Sequence, residues 1–313
     1  MSFRMFSGII CRLAWLTLFL AIAAGCSKSV RTGTGQTLET PIPEDSSTKE
    51  SKITSLSQDE LLERGNFYLK NDNLRLAGLH FSVALDRDPD SAMALAGLGV
   101  IRYRENQIPE ATRLFQTAIA RKPENATAML YLGKIARDEA DLTNSLKWLE
   151  KAVKFAPDNP EILTELAITN DTIGQERLLS AEPLYRKVVN LLPHLAAPYN
   201  NLGFNLLLQG RYPEAIETFS KALTLQPENS RTKNNLATAF LLIDQPDKAL
   251  ALFENTVGKA AAYNNLGYIL MTQGNWDQAE AAFRKALNLN PTFYVKAQQN
   301  LERLKALRTG SGK

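Results

Sequence analysis

Two cysteines and two histidines are all that 313 residues hold of the side chains that bind most transition metals and serve much nucleophilic catalysis. That supply excludes a zinc-finger array and a disulfide-stapled scaffold. A strong charge of either sign is missing too: 36 Lys and Arg against 33 Asp and Glu leave +3, too weak for a nucleic-acid binder. A membrane-crossing helix needs about 20 apolar residues, and the run from Leu13 to Ala24 has twelve. Catalytic patterns are equally scarce. His80 and His194 stand in different repeats without ligand-spaced partners. Gly33-Thr-Gly35 lacks the strand, helix and lysine of a phosphate loop, and no serine sits in a nucleophile-elbow motif. No catalysis, cofactor, metal or small-molecule substrate is implied. What is present is 44% hydrophobic residues, enough for a folded core, in a length that suits two ordinary domains or one elongated array.

The first 25 residues read as an address label. Arg4 and Arg12 precede or flank the twelve-residue apolar run, which has the dimensions of a secretory h-region. It ends in Ala23-Ala24-Gly25-Cys26. Small residues before a cysteine resemble the lipobox of bacterial lipoproteins, with Ala23 where that family usually has Leu. The resemblance implies cleavage after residue 25 and lipid on Cys26, and Ser27 implies sorting to the outer membrane. The alternative is an ordinary secretory signal that leaves Cys26 a free thiol. After cleavage Arg4, Arg12 and Cys11 are gone, the net charge falls to +1 and no intramolecular disulfide can form. Residues 26–57 read as the lipidated cysteine and a disordered tether: 12 of the 29 residues from 27 to 55 are Ser or Thr, with Pro41 and Pro43. As a coil this stretch spans about 30 Å, and fully extended roughly 95 Å.

From residue 58 the sequence repeats. Pro89, Pro123 and Pro157 are 34 residues apart, and Pro193, Pro227 and Pro291 continue the series. Frames begin at residues 58, 92, 126, 160, 196, 230 and 260, which makes seven. The eighth residue of each is small: Gly65, Gly99, Gly133, Ala167, Gly203, Ala237 and Gly267. A second small position holds Ala77, Ala111, Ser145, Ala181, Ala215, Ala249 and Ala279. Four residues on, and so on the same helical face, come Phe81, Phe115, Leu149, Tyr185, Phe219, Phe253 and Phe283. Small residues let helices approach, large ones fill the layer between them, and each proline stops the second helix.

This pattern resembles the tetratricopeptide repeat, which implies an all-α fold of helix–turn–helix units stacked in a right-handed superhelix over residues 58–291. Residues 292–313 read as a capping helix, with Val295, Leu301, Leu304 and Leu307 on its apolar side, and a basic tail. The tail's net charge of +4 suits a helix C-terminus or an anionic surface. Two repeats depart from the pattern. The fourth has two extra residues near Gly174–Ser180 and Pro183 early in its second helix. The sixth is four residues short, has Thr256 where Ala is usual, and is expected to lose the last turn of its second helix.

Family geometry lines the concave surface with the first helix of each repeat. There the motif YNNLG, KNNLA, YNNLG puts Asn200, Asn234 and Asn264 at one position and Asn201, Asn235 and Asn265 at the next. An amide both donates and accepts, so a ladder of them can hold an extended peptide through its backbone. Phe204, Leu207, Leu241, Tyr268 and Met271 lie around it to receive apolar side chains. The competing reading is that these amides only tie helix to helix. The inner face of repeats one to three is of mixed charge (Asp59, Asn66, Lys70, Tyr103, Arg104, Lys134, Arg137, Asp138) and reads as a solvated wall or a second polar contact site. Only scattered pieces, Lys134 and Arg231, match the carboxylate clamp of chaperone-binding relatives.

Length, lipobox, tether, repeat count, the short sixth repeat and the stretch Ala260–Trp276 together resemble the TadD lipoproteins of Tad/Flp pilus assembly. That resemblance implies a lipid-anchored scaffold at the periplasmic face of the outer membrane. Its partners would be a protein or extended peptide, with a secretin or other pilus-assembly component in the groove, and the membrane through the anchor. A pilotin for a type IV pilus secretin, and an adaptor like the NlpI lipoproteins that recruits proteases or peptidoglycan hydrolases, remain alternatives.

Overall fold

The computed structural model describes residues 53–290 and 294–310; the leader, Cys26 and the tether as far as residue 52 lie outside the described residues. Among the described residues there are fifteen α-helices and no strand. In the first four repeats they pair as α1 (Gln58–Lys70) with α2 (Leu74–Arg87), α3 (Ala92–Arg104) with α4 (Ile108–Arg121), α5 (Ala126–Asp138) with α6 (Leu142–Phe155), and α7 (Pro160–Ile173) with α8 (Leu178–Leu191). The fifth repeat supplies α9 (Ala196–Leu208) and α10 (Tyr212–Leu225), and the sixth α11 (Ser230–Leu242) and α12 (Pro246–Val257). The seventh supplies α13 (Lys259–Thr272) and α14 (Trp276–Leu289), and α15 (Tyr294–Gly310) follows. Six of the seven first helices start at the residue the repeat frame gives, and α13 starts one residue early.

The chain divides into two compact units, one ending at Gln209 and the other beginning at Gly210, so α1–α9 belong to the first and α10–α15 to the second. Each has its own core. In the first, a Cβ added to Gly65 would fall 2.5 Å from the Phe81 ring, one on Gly99 2.6 Å from Phe115, and one on Gly133 2.6 Å from Leu149. In the second, a Cβ on Gly267 would meet the Phe283 ring at 2.7 Å. The eighth residue is therefore small because the large residue of the partner helix occupies the place of its side chain. Ala77, Ala111, Ser145, Ala181, Ala215, Ala249 and Ala279 are all fully buried.

Turns and caps are local consequences of sequence. The turn inside most repeats is three residues long, and its middle residue is left-handed: Asp72, Asn106, Ala140, Gly210, Asp244 and Gly274. Ser57, Asn73, Asn125, Asp141, Asn159 and Asn229 precede helices and accept hydrogen bonds from their first-turn amides.

Four expectations need adjustment. The first described residue, Ile53, falls inside the expected tether and is buried against Leu61, Ala77 and Phe81. Arg87 holds the turn by donating to the carbonyls of Thr54 and Leu56. The aliphatic side chain of Ile53 covers that end of the core formed by α1 and α2. In repeat four, one extra residue extends α7 to fourteen and the other lengthens the turn to four, Gly174 to Arg177. In repeat six, α12 keeps twelve residues, so it loses about half a turn rather than a whole one. The rest of the shortening is in the link, where Gly258 alone, at φ 81°, joins α12 to α13. On α15 the buried stripe is Ala297, Leu301 and Leu304, whereas Val295 and Leu307 are exposed. Val295 is two residues from Ala297 and so faces roughly the opposite side.

Candidate functional site

In the second unit the paired asparagines divide their roles. Asn234 on α11 accepts a hydrogen bond from Thr256 Oγ1 of α12 at 2.9 Å. This gives Thr256 a reason to stand where other repeats have Ala: it ties the shortened helix to its partner. Asn264 on α13 is buried and accepts from Asn300 Nδ2 of α15 at 2.9 Å. One residue on, about 100° further round each helix, Asn235 and Asn265 are half-exposed, as is Tyr268 one turn along from Asn265. Asn234, half-exposed like Asn235, and buried Asn264 thus join helices, and Asn235 and Asn265 stand half-exposed at the next position on the adjoining helices α11 and α13.

Leu241 and Met271 are buried. Leu241 packs in a cluster with Phe253 and Ile269, and Met271 in one with Phe283, Leu301 and Leu304. Both sit where the first helix packs on its neighbours. Asn200, Asn201 and Phe204 lie on α9 in the first unit, Asn200 buried and the other two half-exposed, and Leu207 is buried there.

A feature that the sequence pattern did not single out lies on the other side of α13. A cleft of about 610 Å³ is floored by Tyr263, Leu266 and Leu270, walled by Leu241 and Ala282, and edged by Asp244 and Lys285. Its residues occupy packing positions of the repeat, so periodicity marks them as core.

The mixed-charge wall of the first unit closes on itself. Lys134 Nζ lies 3.1 Å from Glu161 and 3.6 Å from Glu165, and 4.9 Å from the Tyr131 ring centroid. Arg137 pairs with Glu165 and, at 3.2 Å, with Asp138. Tyr103 donates its hydroxyl hydrogen to Asp138 at 3.1 Å. Burial works against the Lys134 charge, but Glu165 and Glu161 outweigh it and raise its pKa. Burial, with the Asp138 charge beside it, pushes Tyr103 up to about 12. With its cations spent on its own carboxylates, this wall offers no carboxylate clamp.

A second unanticipated group is buried at the joint between repeats four and five. Asp171 on α7 accepts from Tyr185 Oη of α8 at 2.8 Å and from Asn205 Nδ2 of α9 at 2.7 Å. Asn205 also donates to the Leu178 carbonyl at 3.0 Å. Burial raises the Asp171 pKa to about 7, against the two hydrogen bonds that lower it. His80 is buried too, with Nδ1 2.8 Å from the Leu76 carbonyl, and burial lowers its pKa. Among the described residues no three of His, Cys, Asp and Glu converge as metal ligands, and no helix is long and apolar enough to cross a membrane.

Three models of the tetratricopeptide repeat match residues 102–160, 194–257 and 260–293, together half of the chain. Small glutamine-rich tetratricopeptide repeat-containing protein 2 of Mycosarcoma maydis is 32% identical over 90 residues, 27% of this chain and 25% of that protein. DnaJ homolog subfamily C member 3 of Bos taurus is 33% identical over 95 residues, 29% of this chain and 19% of that protein. The chain therefore spans a quarter or less of the length of these curated relatives. A solved tetratricopeptide repeat protein of Parabacteroides merdae superposes with a TM-score of 0.53 at 17% identity, covering 79% of this chain and 98% of that one. For Pseudomonas aeruginosa pilF the TM-score is 0.57 at 17% identity, covering 69% and 97%. At such identities the likeness is one of fold.

Proposed function

Belonging to the tetratricopeptide-repeat family, the chain is a protein-interaction scaffold, and we propose that the half-exposed amides of α11 and α13 are where it holds a partner. The observation that carries this is the shared position of Asn235 and Asn265, half-exposed one repeat apart, with Tyr268 one turn along from Asn265 and the preceding Asn264 buried and engaged with Asn300. Two amides at repeat spacing can each take a backbone N–H and C=O of an extended segment, whatever its sequence. The tyrosine adds an apolar body with a polar tip.

In this proposal the scaffold is lipid-anchored through Cys26 at the periplasmic face of the outer membrane and serves a Tad/Flp pilus secretion system. Support comes from the lipobox-like Ala23-Ala24-Gly25-Cys26, the Ser/Thr-rich stretch after it, the short sixth repeat and the YNNLG motif inside Ala260–Trp276. The test is a photo-crosslinker at Tyr268 in living cells, with a second at Gln278 on the cleft side as the comparison. Capture of a secretin or pilus component at Tyr268, lost on Asn235→Ala/Asn265→Ala, supports the pilus reading; a secretin of a type IV pilus as the captured protein turns it to a pilotin. Capture of a protease or peptidoglycan hydrolase turns it to an adaptor. Capture at Gln278 alone overturns the amide face and moves docking to the cleft. Mass spectrometry of the mature N-terminus tests the anchor: an unmodified Cys26 overturns it.

A further inference from the structure

The outer face of α6 is unlike any other charged surface of the first unit. Ser145, Leu149 and Ala152 turn into the core. On the opposite side Lys147, Lys151 and Lys154 are exposed, and among the described residues none of the three has an ion-pair partner. At 100° per residue these lysines, Trp148 and Phe155 fall within an arc of about 120°. Lys151 Nζ lies 5.0 Å from the centroid of the half-buried Trp148 ring. Phe155, at the end of the helix, is 52% exposed. Glu150, the helix's single carboxylate, stands at the flank of the arc.

At the equivalent positions the neighbouring frames carry no acid. One frame earlier the equivalent positions are Arg113, Thr117 and Ala120; one frame later they are Pro183, Lys187 and Asn190. Only Lys187 there is neutralised, by Asp158 at 2.8 Å. The first-helix side of the same unit has the opposite character, because its cations are tied to Glu161, Glu165 and Asp138. Among the described residues, three lysines without an ion-pair partner thus surround an indole and an exposed phenyl ring.

We propose that the outer face of α6 docks on an anionic lipid surface. Trp148 and Phe155 enter the headgroup region, and Lys147, Lys151 and Lys154 meet the lipid phosphates. Three features favour a bilayer over a peptide or nucleic acid. The surface is the outside of one helix, and its aromatic residues share one arc with the lysines, with Lys151 over the Trp148 ring, an arrangement that suits interfacial anchoring. The net charge of the whole chain, +3, does not extend the patch into a track for a phosphodiester backbone. Each lysine brought to an anionic surface adds about fivefold in affinity, so three suffice for a measurable attachment that needs no acyl chain. The proposal is independent of the amide face, which lies in the other unit.

The test uses residues 27–313, which retain every described helix and the first core residue, Ile53. In that chain Trp276→Phe leaves Trp148 as the single tryptophan. Sedimentation with vesicles of mixed phosphatidylglycerol and phosphatidylcholine is expected, with a blue shift of Trp148 emission and release at about 0.5 M salt. Pure phosphatidylcholine vesicles bind far less. Lys147→Glu/Lys151→Glu/Lys154→Glu, all at exposed positions, keeps the helical circular dichroism and weakens binding by about a hundredfold or more. No sedimentation, retention of binding by the triple variant, or an unshifted Trp148 in the bound protein each overturns the proposal. So does lysine-dependent binding of an acidic peptide or a nucleic acid that vesicles do not compete away.

Discussion

Tyr185 on α8 donates its hydroxyl hydrogen to Asp171 on α7 at 2.8 Å, and the carboxyl group that receives it is buried without a cation at bonding distance. Two neutral donors, Tyr185 and Asn205, are all that offset the loss of hydration. The group is also where the extra residues of repeat four fall, next to the turn Gly174 to Arg177. Asp171 thus links three consecutive helices at an irregular joint.

Stability should therefore fall as pH rises through the window between the ordinary aspartate value of 3.8 and the folded value of about 7. In that window the folded carboxyl keeps its proton while the unfolded one has lost it, so the native state binds more protons and raising pH favours unfolding. The cost is complete above about pH 7 and absent below about pH 4, with a ceiling of about 4 kcal/mol. Buried His80 contributes a slope of opposite sign, since its pKa is lowered. Comparing the protein with Asp171→Asn in urea melts at pH 5 and pH 8 removes that background. The variant should gain relative stability at pH 8; equal differences at both pH values would contradict this account.

Gly65→Ala should destabilise the first repeat although alanine is the better helix former. The new methyl would sit 2.5 Å from the Phe81 ring, and Phe81 is fully buried with no room to retreat. Overpacking of this kind costs about 1–3 kcal/mol. A thermal melt reads the loss, and combining the change with Phe81→Leu should recover part of it. Additivity of the two would mean that the rings and the glycine are not in the contact described.

The repeat frame and the helix boundaries were legible because both arise from local rules. Glycine and alanine mark where Phe81 or Phe283 must fit, and prolines mark where helices stop. Ile53 was hidden in a polar stretch, since its burial depends on packing against Leu61, Ala77 and Phe81 and not on periodicity. Asp171 was hidden for the converse reason: its position in the frame is one that Leu69, Tyr103 and Arg137 also occupy, so no rule of spacing announces a buried acid. The asparagine pairs were visible, yet sequence could not separate Asn234 from Asn235. That separation depends on Thr256 and Asn300, which come from other helices.

Ala140→Gly should stabilise the third repeat. Ala140 is the middle residue of its turn at φ 62°, where the second and sixth repeats have Asn106 and Asp244 and two others have Gly210 and Gly274. A Cβ in the left-handed region costs about 1–2 kcal/mol, against which the glycine's larger unfolded entropy takes back about 0.5–1 kcal/mol. The net gain is small but signed. A rise in the urea midpoint without a change in slope is the expected reading, and a fall would show that the alanine methyl is held by packing.

The asparagine pairs give the sharpest separation of folding from binding. Asn234→Ala removes the interhelical acceptor of Thr256, whose hydroxyl keeps the Leu252 and Phe253 carbonyls within reach, and Asn264→Ala removes the acceptor of Asn300. The first should lower stability by less than about 1 kcal/mol and the second by about 1 kcal/mol. Asn265→Ala changes a half-exposed side chain on α13 and should leave the melting temperature within the small range of surface substitutions. Partner capture at Tyr268 should show the reverse order: strongly reduced by Asn235→Ala/Asn265→Ala, and reduced by Asn234→Ala/Asn264→Ala only as far as the fold loosens. A double-mutant cycle of Asn264→Ala with Asn300→Ala adds the internal control, because the second change should cost little once the first is made. If Asn265→Ala proves as destabilising as Asn264→Ala, both amides of that motif serve the stack, and the docking face must be sought at the cleft over Tyr263, Leu266 and Leu270 instead.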